Sequence, residues 1–139
     1  MNGRFNPNAP AWPVANDGAK LLTGIPVSPG IVAGPARVIL RADEHEQILP
    51  GEILIAPATD PAWSPYFVTA VGVVMEQGGI LSHGSIVARE YGLPAVTNVA
   101  SATRVIRTGD LVQVDGNRGC VSVLKRLAEG RTENNLQTT

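Results

Sequence analysis

Apolar and β-branched residues fall in short runs separated by glycine, proline and asparagine: Gly34 to Leu40, Glu52 to Ala56, Val71 to Met75, Ala95 to Asn98, Asp110 to Val114 and Gly119 to Leu124. Most are of strand length, and their Val and Ile content suits a pleated, half-buried surface. The last two flank Asp115-Gly116-Asn117-Arg118, a turn-forming segment, so Leu111-Val112-Gln113-Val114 and Val121-Ser122-Val123-Leu124 read as the arms of a C-terminal β-hairpin. Helical signals are fewer. Ser82 can cap a helix from His83 to about Tyr91, its hydroxyl accepting from a first-turn N–H, and Gly92 followed by Leu93-Pro94 supplies the stop. Asp60 before Pro61 predicts a second short helix through Phe67, and Ala100 to Ile106 a third.

Strands mixed with short helices predict an α/β or α+β layered domain, with the crossover order open. Residues 1–22, holding Asn6-Pro7-Asn8-Ala9-Pro10-Ala11-Trp12-Pro13, have no apolar period and read as a flexible tail or linker, and residues 127–139 as a second, polar tail. The patterned part is 23–126. At 139 residues with 44% hydrophobic positions, the chain suits one core rather than two. Its single cysteine, Cys120, excludes an internal disulfide framework, and a reducing cytoplasm is the expected compartment. A net charge of -1 without Lys/Arg clusters, and only two each of Trp, Tyr and Phe, argue against a nucleic-acid surface. The longest apolar run, Val68 to Met75, is far short of a membrane span, and no secretory leader is evident at the N-terminus.

The densest chemical signal is Glu76-Gln77-Gly78-Gly79-Ile80-Leu81-Ser82-His83-Gly84-Ser85, joining an expected strand to an expected helix through two glycines. His83 falls at the helix start, where unpaired N–H groups and the positive end of the macrodipole favour an anion. The same field disfavours imidazolium and leaves a neutral ring nitrogen available as a nucleophile at neutral pH. A neutral imidazole can attack phosphorus, and the phosphohistidine dianion would meet the turn's N–H groups with the Ser82 and Ser85 hydroxyls as added donors. Gly78, Gly79 and Gly84 would leave space for the phosphate and its donor to approach the backbone. Taken alone, a histidine beside a helix cap is more often a surface or satisfied residue than a nucleophile.

The nineteen residues from Gly78 to Val96, GGILSHGSIVAREYGLPAV, closely resemble the phosphohistidine motif of the mobile, or swivelling, domain of phosphoenolpyruvate-utilising enzymes. That family includes phosphoenolpyruvate synthase, pyruvate phosphate dikinase and rifampicin phosphotransferases. Thr59-Asp60-Pro61-Ala62-Trp63, Gly72-Val73-Val74, Thr108-Gly109-Asp110 and Asp115 to Gly119 stand where the family has its TDPxW, strand and terminal hairpin segments, and Gly24 to Gly34 looks like its entry into the domain. The resemblance implies a compact swivelling β/β/α domain, with His83 as the residue that accepts a phosphoryl group from ATP or phosphoenolpyruvate and passes it to an acceptor bound elsewhere. It implies Ser82, Gly84, Ser85, Gly78 and Gly79 as the phosphate-binding surround, and no metal or cofactor within this chain. ATP or phosphoenolpyruvate and Mg2+ are implied at partner domains: an ATP-grasp nucleotide-binding domain or subunit, and an acceptor-binding one. Two positions depart from the pattern: Leu81 stands where several dikinases have Thr, so their regulatory phosphorylation is not carried over, and Gly84 stands where many members have Ala. The rival reading is a non-catalytic docking or regulatory module that keeps the fold.

Other candidates are weaker. His45-Glu46 begins a zinc-protease pattern, but position 49 is Leu where the second His is needed. Cys120, in an expected strand, reads as a buried structural thiol. Arg89, six residues after His83 and off its helix face, is expected to meet a partner domain or solvent. Trp63 and Tyr66 are expected to pack against the domain.

Overall fold

The computed structural model describes residues 20–42 and 47–126. The expected C-terminal tail, most of the expected N-terminal linker and the segment Asp43-Glu44-His45-Glu46 lie outside the described residues. In chain order the elements are β1 (Lys20–Thr23), β2 (Ile25–Ser28), β3 (Ile31–Val38), β4 (Ile53–Ala56), a 3-10 turn (Pro61–Trp63) leading into α1 (Ser64–Thr69), β5 (Gly72–Met75), α2 (His83–Tyr91), β6 (Ala95–Thr97), α3 (Ala102–Val105), β7 (Leu111–Asp115) and β8 (Cys120–Lys125). Every strand and helix expected from the run pattern is present, with ends moved by a few residues. Two strands were not expected. Lys20, Leu21 and Leu22, placed in the linker by sequence, pair with β8 as β1. β2 carries Pro26, whose missing N–H argues against a central strand, and it is tolerated because β2 lies at the end of the strand order.

That order is β1-β8-β7-β3-β4-β5-β6-β2. β3 joins two kinds of sheet. Its first half, Ile31 to Pro35, runs antiparallel to β7, while Ala36 to Val38 run parallel to β4. β4, β5 and β6 continue in parallel, and β2 closes the far edge antiparallel to β6. β1 and β2 are separated only by Gly24 yet occupy opposite ends of the order, so the sheet must curl round on itself.

The central strands are buried on both faces, as parallel strands covered from two sides are. Period-two alternation sends Leu54 and Ala56 of β4, and Val73 and Met75 of β5, into a core with Trp63, Phe67 and Ala88 from the helical side. Ile53, Ile55 and Val74 face the other way, onto Val112, Val114, Val121 and Val123 of the hairpin and Ala102 of α3. The layers are therefore antiparallel sheet, parallel sheet and helices, the β/β/α arrangement expected. No helix among the described residues is long and apolar enough to cross a membrane.

Candidate functional site

Parallel strands end side by side, so the loops that follow them meet at one edge of the sheet. Ala56 and Met75 are register partners, and just beyond them the N–H groups of Glu76 and Gln77 donate to the Pro57 carbonyl at 3.1 and 2.9 Å. This zipping brings Thr59, three residues past β4, against His83, the first residue of α2: Thr59 Oγ1 lies 3.3 Å from His83 Nδ1. The Thr59 hydroxyl also donates toward Met75 Sδ at 3.8 Å. A hydroxyl has one proton and two lone pairs. When that proton is directed at sulfur, a lone pair accepts from Nδ1–H and this tautomer leaves Nε2 unprotonated; when it is directed at Nδ1, the ring proton sits on Nε2 instead. The edge of the ring pair with Phe67, centroids 6.0 Å apart at 85°, holds the half-buried imidazole from the core side.

The turn before α2 is tied back carbonyl by carbonyl. Thr97 Oγ1 donates to the Gly78 carbonyl at 3.3 Å, Ser85 Oγ to Gly79 at 2.8 Å, and Arg89 Nη2 to Ile80 at 2.8 Å. Gly78 sits at φ +129°, where an L side chain is strained, and a Cβ there would also lie 2.9 Å from Ser82 Oγ. Ser82 occupies the N-cap position with extended backbone, but its side chain makes no capping bond, against the expectation from sequence. Its hydroxyl lies 3.1 Å from Ser85 Oγ instead, because Ser85, itself engaged with Gly79, is close enough to compete for it. No acceptor among the described residues takes the N–H groups of His83, Gly84 or Ser85, so the first turn keeps its orphan donors.

Two of the residues expected around a phosphate face inward. Ser85 is fully buried, so in this arrangement its hydroxyl holds the turn rather than greeting a ligand. Gly84 is buried too, and its missing side chain makes room for Met75 and Thr59: a Cβ would fall 2.4 Å from Met75 Sδ and 2.5 Å from Thr59 Oγ1. Gly79 is the converse case. Nothing lies within 4 Å of the Cβ it lacks, and it is exposed beside the equally exposed Ile80 and Leu81.

Of the other candidates, Glu76, Trp63, Tyr66 and Cys120 are engaged away from His83, whereas Arg89 reaches the turn before it. Glu76 accepts from Thr103 N–H at 2.7 Å and Thr103 Oγ1 at 2.5 Å, capping α3. Trp63 is buried with its ring 5.5 Å from Tyr66, whose hydroxyl donates to the Ala42 carbonyl, so both pack as expected. Cys120 is half-buried rather than buried, because it opens β8 beside the hairpin turn. Arg89 is exposed, in keeping with the solvent reading, and besides Ile80 it donates to the Val27 carbonyl at 2.9 Å. Thr59, Thr97 and Arg89 are site residues that sequence reasoning missed. The first two lie 24 and 19 residues from their partners, beyond any periodic signal.

The profile of the PEP-utilising enzyme mobile domain matches residues 48–119. A rifampicin phosphotransferase of Bacillus cereus is 47% identical over 106 residues, covering 76% of this chain and 12% of that protein. A probable phosphoenolpyruvate synthase of Staphylothermus marinus is 46% identical over 103 residues, covering 73% and 12%. Among solved structures, aconitase X of Thermococcus kodakaraensis shares the fold at a TM-score of 0.58 and 19% identity, over 78% of this chain and 99% of that one. The chain belongs to the mobile-domain family of PEP-utilising enzymes. It spans about an eighth of the length of the longer relatives named above.

Proposed function

We propose that this domain is a phosphoryl carrier, with His83 Nε2 as the atom that bears the group. The observation that carries the reading is the placement of His83 at the first position of α2 with Nδ1 at 3.3 Å from Thr59 Oγ1; in this reading Nδ1 is the donor to Thr59, and Nε2 keeps its lone pair. In the step, Nε2 attacks phosphorus, the bond to the donor oxygen breaks, and that oxygen leaves with the bonding pair. The Nδ1 proton stays shared with Thr59 or passes to water. The dianion formed lies at a helix N-terminus whose first three amides have no acceptor, where macrodipole and N–H groups favour it. Ser82, half-buried and at the mouth of the turn, is the hydroxyl placed to add a bond; Ser85 and Gly84 serve by holding the turn and α2 in place.

In this reading the donor is ATP or phosphoenolpyruvate, bound with Mg2+ on a partner such as an ATP-grasp domain, and the acceptor is bound on another; the family's description and the name of the phosphoenolpyruvate synthase relative support the use of phosphoenolpyruvate. Stabilising charge on a transferring phosphoryl group takes cations and metal that act on the donor side. This domain supplies the nucleophile and the resting place between transfers. Incubating the chain with labelled ATP or phosphoenolpyruvate and the polypeptide that binds them should give an acid-labile, base-stable adduct that His83→Gln abolishes and His45→Gln does not. Equal labelling of the His83→Gln protein would overturn the reading.

A further inference from the structure

Arg89 lies in the last turn of α2, and its side chain runs back toward the helix start, the direction helical side chains take. There the two arms of the guanidinium grip carbonyls from two different elements, Nη1 on Val27 of β2 at 2.9 Å and Nη2 on Ile80 of the turn at 2.8 Å. Among the described residues no carboxylate pairs with it, so its bonding is spent on these neutral oxygens. A rigid planar fork holds two acceptors at a set separation, which a single flexible ammonium does not.

The Ile80 carbonyl is the third in a row that a side chain ties back, after Gly78 and Gly79, and it stands three residues before His83. All peptide bonds here are trans, so drawing the Ile80 carbonyl toward Arg89 turns the Leu81 N–H to the opposite side of the chain. The other two ties come from β6 and from the first turn of α2. Only the Arg89 grip links the turn to β2 and to the far end of the helix at once. We propose that Arg89 is a positioning residue for chemistry at His83: by fixing the Ile80–Leu81 peptide plane against β2, it sets how the turn enters α2 and therefore how His83 is presented. This rests on the phosphocarrier reading. Arg89 itself touches no reacting atom.

The test uses phosphoramidate, a small donor that phosphorylates imidazole without a partner protein: nitrogen of the ring attacks phosphorus, the P–N bond to the amide nitrogen breaks, and ammonia leaves with the imidazole proton. The whole chain, with Arg89→Met and Arg89→Lys, is treated with it, and phosphate on His83 and on His45 is mapped separately by mass spectrometry. Wild type should label His83 preferentially, and each variant should lose about tenfold in the His83 rate relative to His45, as misplacement of a reacting group does. The Lys variant keeps the charge and carries the test if the Met variant fails to fold; melting temperatures are recorded for both. An unchanged His83 to His45 ratio in folded variants, or full activity in Arg89→Lys, overturns the positioning role while the carrier reading stands. No preference for His83 in wild type counts against the carrier reading instead, and the Arg89 role falls with it.

Discussion

Adding one methyl group at position 84 sets two effects of opposite sign against each other. Gly84 is the second residue of α2, and replacing glycine with alanine inside a helix ordinarily stabilises by about 1 kcal/mol. Here the new carbon would lie 2.4 Å from Met75 Sδ and 2.5 Å from Thr59 Oγ1, where ordinary contact begins at 3.4 Å. Met75 is 1% exposed and sits in the parallel layer, so relief requires α2 to move outward by about 1 Å or Thr59 to swing away from the His83 ring. Overpacking of this kind costs about 3 kcal/mol at the upper end of its usual range. Steric cost therefore exceeds propensity gain, and Gly84→Ala should be destabilised by about 2 kcal/mol, a fall of about 10 °C in melting temperature for a domain of this size. Circular dichroism melts provide the assay, and imidazole nitrogen shifts of His83 report whether its Thr59 partner has moved. A double variant with Met75→Ala should lose less stability than the two single losses combined, by about 1–2 kcal/mol, because the truncation makes room for the methyl. A Gly84→Ala protein that melts at or above wild type, with His83 unshifted, would refute the reasoning.

Three further outcomes follow from the same geometry. Burial by itself would raise the Glu52 carboxyl, but the two-pronged Arg37 contact and the Leu49 N–H outweigh it and hold it below its ordinary 4.5. Its contribution to stability is thus complete above pH 4.5 and lost as pH falls through the lower folded value, so urea midpoints should drop in that acid range and Glu52→Gln should flatten the drop. Thr59→Val should leave Nδ1–H without its acceptor, mix the two tautomers of His83 in nitrogen spectra, and slow its phosphorylation severalfold; an unchanged spectrum would remove Thr59 from the site. Phosphorylation should raise the melting temperature, since a dianion at a helix N-terminus gains about 1 kcal/mol from the dipole and as much from each charge-assisted bond; a fall would mean that the group points into solvent.

Local rules made much of the scaffold legible. Gly92, at φ +71°, ends α2 where its sequence says it should, and Asp60 caps the turn at Pro61 by accepting from Ala62 N–H at 2.9 Å. The β7–β8 hairpin follows from two Val-rich runs and the turn between them, and the central strands from runs of Val and Ile, while their parallel pairing was left open by the pattern. Edge strands were harder to see, because β1 and β2 are short, partly exposed and, in β2, interrupted by Pro26; their pairing depends on the curl of the whole sheet. At the site, the nucleophile and the helix start could be read from one segment. Its partners could not. Thr59 reaches His83 only because β4 and β5 pair in parallel, and Arg89 is off the His83 helix face yet grips the same turn through the length of its side chain. The Ser82 cap was misassigned because local propensity does not register Ser85, whose hydroxyl bonds to Gly79 and draws Ser82 away from the helix amides.

The nitrogen that carries phosphorus tests the central claim most directly. The chain, labelled with nitrogen-15 at histidine and phosphorylated, distinguishes the two ring positions through nitrogen and phosphorus spectra. With Nδ1 engaged by Thr59, all of the phosphate on His83 should be bonded to Nε2. Phosphate on Nδ1, or on a residue other than His83, would contradict the account.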